Sequence, residues 1–111
     1  MPEDFWGVLV PPLVGKSFYT LKRHHEFRVE EMSETRLRTI TSTGKVRWIP
    51  RWRMEDAWNQ LTAHGSITLR GIEHRPGWAP LNWSYWAALL AQMPGVEHRL
   101  NPITLIYREA K

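Results

Sequence analysis

Residues 45–65, KVRWIPRWRMEDAWNQLTAHG, decide how the chain is read. Pro50 disfavours the α region for Ile49, so a strand over Val46 to Ile49 ends there. Proline is tolerated in the first turn of a helix, where its missing N–H has no intrahelical acceptor to lose. Met54, Ala57, Trp58 and Leu61 then recur at i, i+3, i+4 and i+7, the apolar stripe of a helix. Glu55 and Asp56 are read near its positive N-terminal end, and Gly65 as its left-handed C′ residue. Strand, break, helix and stop follow in that order.

The same stretch is the most cationic in the chain. Lys45, Arg47, Arg51 and Arg53 fall in one short span with Trp48 and Trp52 among them, and no Asp or Glu occurs from Thr35 to Met54. Guanidinium groups beside indoles suit phosphate neutralisation and base stacking. Those six residues are the candidate nucleic-acid-binding site. The competing reading is a solvated edge on which arginine stems cover tryptophan rings.

At 111 residues the chain is expected to be one domain, 1–111, with a single core. Its 42% hydrophobic and 23% charged content is ordinary for a globular protein. Seven tryptophans are more than a domain of this size buries completely. A net charge of +4 favours acidic partners. The absence of cysteine removes disulfides, thiolate metal sites and a cysteine nucleophile together. The N-terminus MPEDFWG is acidic and lacks the basic region of a signal peptide. No apolar run approaches the length needed to span a bilayer, so the expectation is a cytoplasmic protein without a membrane partner.

Taken in order, the chain predicts an α+β fold. Residues 1–16 read as an extended arm packed by Phe5, Trp6, Val8 and Val10, with Pro11-Pro12 unable to continue a strand. Residues 17–49 read as a small antiparallel β-meander: Phe18 to Leu21, a segment around Phe27 and Val29, Arg36 to Thr41, and Val46 to Ile49. Ser42 to Lys45 is a turn with Gly44 available for a positive φ. Arg36, Arg38 and Arg47 are expected to share the wet face, although Ile40 interrupts the alternation. Residues 50–111 hold two or three helices and a C-terminal hairpin. Ser66 to Thr68 is a brief strand, Leu69 to His74 a short helix, and Arg75 to Pro80 a loop. Asn82 N-caps a longer helix, Trp83 to Met93, stopped by Pro94-Gly95. Val96 to Arg99 and Ile103 to Arg108 form the hairpin.

Helix, short strand, short helix, longer helix and hairpin, over residues 54–108, resemble the winged-helix arrangement. The resemblance lies in the order of elements and not in a residue motif. It implies binding to DNA rather than RNA, with Trp83 to Met93 in the recognition position and the hairpin as the wing. The segment from Pro76 to Val96 carries no charge, and only Asn82 and Gln92 there are suited to reading base edges. Such a helix fits better in a core or against a protein. The alternative function is therefore an adaptor or homodimer interface docking through Trp78, Trp83 and Trp86.

Enzyme chemistry has little support. Gly15-Lys16-Ser17 ends like a phosphate-binding loop, but Val10 stands where that motif needs glycine, and a strand follows instead of a helix. His24, His25, His64, His74 and His98 show no i, i+4 pair, and adjacent His24 and His25 would point to opposite strand faces. Glu30, Glu31 and Glu34 read as solvated edge and turn. The echo of Gly71 to Arg75 in Gly95 to Arg99 is a single pair and no repeat array. A non-enzymatic module with no cofactor and no metal is the expectation.

Overall fold

The computed structural model describes residues 5–68, 83–100 and 103–108. Strands β1 (Ser17–Tyr19), β2 (Glu26–Met32), β3 (Arg36–Thr41) and β4 (Val46–Pro50) form an antiparallel meander in the order β1-β2-β3-β4. Period-two alternation sends Phe27 and Val29, Leu37 and Thr39, and Ile49 to one face, where all are buried. The opposite face carries Arg28, Arg36, Arg38, Ile40 and Trp48, each exposed or half-buried.

Two local devices hold that alternation. Ile40 lies on the open face opposite Val46, while Thr39 takes the buried position and donates its hydroxyl to the Arg47 carbonyl at 2.7 Å. A buried hydroxyl with its partner made is no burden to the core. The β2–β3 register then shifts between Val29 and Glu31, a bulge that sets two residues against Arg38. The extra residue keeps Met32 paired with Leu37 and packed on the core. Without it Met32 would turn to solvent.

Pro50 is extended at φ −65° and ψ 140° and caps helix α1 (Arg51–His64), which buries Met54, Ala57 and Leu61, and also Arg53. Glu55 and Asp56 lie beyond the first turn and act along the helix surface. Glu55 pairs with Arg51 at 3.2 Å, and Asp56 accepts from Gln60 at 3.0 Å, both four residues apart. Gly65 ends the helix at φ +85°, its N–H reaching the Leu61 carbonyl at 2.8 Å.

Strand β5 (Ser66–Thr68), helix α2 (Trp83–Leu90) and strands β6 (Val96–Arg99) and β7 (Thr104–Tyr107) complete the described chain. The three strands form an antiparallel sheet ordered β5-β7-β6. Helix α2 is shorter than the sequence pattern. After Leu90 the N–H groups of Gln92 and Met93 tighten onto the Leu89 and Leu90 carbonyls. The short helix expected at Leu69 to His74, the loop to Pro80 and the Asn82 cap lie outside the described residues.

The N-terminal segment is not extended. Phe5–Leu9 is a π-helical turn and Pro11–Leu13 a 3-10 turn, burying Phe5, Trp6, Val10 and Leu13. Trp6 seats its indole by donating to the Ser33 carbonyl at 2.9 Å, which a flat arm on the surface would not do. Helix α1 touches β4, β5, β7 and α2. Its Trp58 stacks on Phe5 at 5.2 Å and meets Tyr107 edge-on at 5.6 Å, joining the N-terminal turn to the second sheet. From α2 the core takes Trp86, Ala87, Ala88, Leu89 and Leu90. Among the described residues no helix is long and apolar enough to cross a membrane.

Candidate functional site

The strand register divides the basic stretch that the sequence presents as one patch. Thr39 pairs with Arg47 and Arg38 with Trp48, so Arg47 and Trp48 face opposite sides of the sheet. Arg47 therefore does not share the open face with Arg36 and Arg38. It lies half-buried on the core side, and its Nε has no hydrogen-bond partner among the described residues. Lys45 is exposed immediately before β4. Trp48, 40% exposed, stands on the open face.

The helical members of the stretch are differently placed. Arg51 is half-buried, paired with Glu55, donates to the Glu34 carbonyl at 3.1 Å, and lies 5.6 Å over the Trp6 ring. Trp52 is 57% exposed, whereas Arg53 beside it is only 4% exposed. The Arg53 guanidinium carbon lies 4.3 Å from the Trp52 ring centre. Desolvation by burial pulls the Arg53 guanidinium below its ordinary value, and nearby Asp56 opposes that shift. Arg53 is thus a packing residue and offers no surface charge to a phosphate.

The open sheet face gathers a different set. The Arg36 guanidinium carbon lies 3.8 Å over the Trp48 ring. Beside them a groove of about 320 Å³ is lined by Glu31, Met32, Ser33, Thr35, Arg36, Arg38 and Trp48. Arg38 pairs with Glu30 at 2.6 Å, and Arg28 reaches the same carboxylate at 3.5 Å. Tyr19, 55% exposed, stands on this face from the edge strand β1, since its partner is Glu26, next but one to Arg28. Arg28, Arg36, Arg38 and Tyr19 are absent from the stretch that the sequence nominates. The signal for Arg36 and Arg38 was the Ser42–Lys45 turn, which folds β3 back on β4 and sets Trp48 beside them.

The alternative docking residues fall differently. Trp86 is 1% exposed and belongs to the core, so its ring is not offered to a partner. Trp78 lies outside the described residues, as does the side chain of Trp83. His24 and His25 occupy the turn between β1 and β2, not a strand, with His24 at φ +54°. No protein family, curated protein or solved structure matches the chain.

Proposed function

We propose that the protein is a non-enzymatic nucleic-acid-binding module that receives a single strand across the open face of the β1–β4 sheet. The carrying observation is the Arg36–Trp48 pair beside a groove, with Arg28, Arg38 and Tyr19 on the same face. Exposed aromatic faces stack on bases of any sequence, while guanidinium groups follow the backbone. Lys45 is exposed at the β3–β4 turn, and Trp52 is a further exposed ring on α1.

The second half keeps the winged-helix resemblance as a reading of element order: α1, β5, α2 and the β6–β7 hairpin, with β5 laid on β7. Duplex reading by α2 is not part of the proposal. Its residues from Trp86 to Leu90 are core, and it carries no cation.

Fluorescence anisotropy with labelled single strands and duplexes of equal length tests the function. Single strands should bind more tightly, and Arg36→Glu with Arg38→Glu should abolish binding in a folded protein. Absence of binding at low salt, or equal binding by that double variant, would remove the sheet face from the proposal.

A further inference from the structure

A second concavity lies away from the Trp48 groove. It has a volume of about 330 Å³ and is lined on one side by Thr20, Lys22, Arg23 and His25 of the β1–β2 loop. Ser84 and Tyr85 of α2 form the opposing wall, with Leu21, Ala87 and Ile103 supplying apolar surface. That volume is at the lower end of the roughly 300–1,000 Å³ range of small-ligand sites. We infer that this pocket binds a phosphate monoester carried on an apolar or aromatic body, the chemistry of a mononucleotide or of a 5′-phosphorylated strand end.

The loop is built and not loose. Thr20 is 5% exposed, its N–H reaches the His25 carbonyl at 3.0 Å, and its hydroxyl accepts from the His25 N–H at 2.9 Å. His24 adopts φ +54° and donates its N–H to the Thr20 carbonyl at 3.0 Å, closing the turn. This closure presents Lys22, Arg23 and His25 toward one cavity. Among the described residues no carboxylate forms an ion pair with Lys22 or Arg23. That contrasts with Arg28 and Arg38, which share Glu30.

The opposite wall complements that charge. Ser84 and Tyr85 lie in the first turn of α2, so the positive end of its dipole is at this wall. The Tyr85 ring is fixed edge-on to Phe27 at 5.1 Å and 80°, which sets the position of its hydroxyl. Two cations, two hydroxyls and a helix start suit a dianionic head group. Leu21, Ala87 and Ile103 suit the less polar body attached to it.

Calorimetry with adenosine 5′-monophosphate, adenosine and inorganic phosphate tests the pocket. The monophosphate should bind at least about tenfold more tightly than either fragment, as hydrogen bonds to a charged group exceed a decade in affinity. Lys22→Gln with Arg23→Gln should lose at least about tenfold, and Ser84→Ala should weaken binding from the other wall. Arg99→Gln, an exposed cation on β6 outside the pocket lining, should leave this affinity unchanged, so that a loss in the double variant is not one of net charge alone. A 5′-phosphorylated dinucleotide binding more tightly than the monophosphate identifies a strand end as the ligand, and equal or weaker binding identifies the free nucleotide. Adenosine binding as well as its monophosphate, or wild-type affinity in the double variant, would overturn the assignment.

Discussion

The Arg36 guanidinium lies 3.8 Å over the Trp48 ring although the residue paired with Arg36 across the strands is Pro50. The contact is therefore a diagonal one, two positions along β4, within reach of long side chains on one sheet face. Guanidinium over indole contributes about 0.5–1 kcal/mol at an exposed site. Its larger consequence is order, since it holds an exposed indole at the mouth of a groove.

Trp48→Ala should weaken single-strand binding by about 1–3 kcal/mol, the range for one base–aromatic stack. Stability should change little, because the ring is 40% exposed and lies outside the core cluster. Anisotropy paired with a thermal melt reads both. A large fall in melting temperature with affinity retained would make Trp48 a packing residue.

Among the described residues, the two extremes of tryptophan burial give a contrasting pair. Trp86 is 1% exposed, and Trp86→Ala should cost about 3–5 kcal/mol in urea unfolding. Trp52 is 57% exposed and contacts Arg53, so Trp52→Ala should cost no more than about 1 kcal/mol. Similar losses in both variants would contradict the burial described for α2.

Gly65 and Gly95 share a left-handed conformation, at φ +85° and +81°. A Cβ at Gly65 meets open space, so Gly65→Ala should cost only the backbone strain, about 1–2 kcal/mol. At Gly95 an added Cβ would stand 2.6 Å from the Arg108 carbonyl oxygen. The Arg108 N–H is already bonded to the Gly95 carbonyl at 2.7 Å, so the strands cannot part without losing that bond. Gly95→Ala should be clearly the more damaging in chemical denaturation, and equal costs would remove the steric argument.

Much of the fold was legible because its signals are local. Pro50 and Gly65 bracket α1, and the Ser42–Lys45 turn fixes the β3–β4 hairpin. The site was less legible because it depends on register. A bulge at Glu30–Glu31 and a buried Thr39 decide which arginines face outward, and neither follows from alternation alone. Arg53 misleads for a related reason. A helix periodicity of 3.6 places it beside the apolar stripe of Met54, Ala57 and Leu61, where its guanidinium is buried. The pairing of β5 with β7 is non-local, so the strand at Ser66 to Thr68 and the hairpin are each legible in the sequence while their union in one sheet is not.

Salt dependence separates the basic stretch from the sheet face. Contacts by Lys45, Arg47, Arg51 and Arg53 would give a slope of log K against log salt near −2.8 for a single strand, at about −0.7 per phosphate. The sheet face supplies a different set. Arg36 counts singly, and Arg28 and Arg38 share Glu30, leaving one net charge among those three. Two contacts give a slope near −1.4 by the same arithmetic. Arg36→Gln with Arg38→Gln removes the Arg36 charge and the one surplus charge of the cluster, leaving a slope near zero. Arg53→Gln should leave slope and affinity unchanged, because that guanidinium is 4% exposed. Anisotropy over a salt series measures all three proteins. A flattened slope in Arg53→Gln, together with the wild-type slope in the double variant, would move the interface from the sheet to the start of α1.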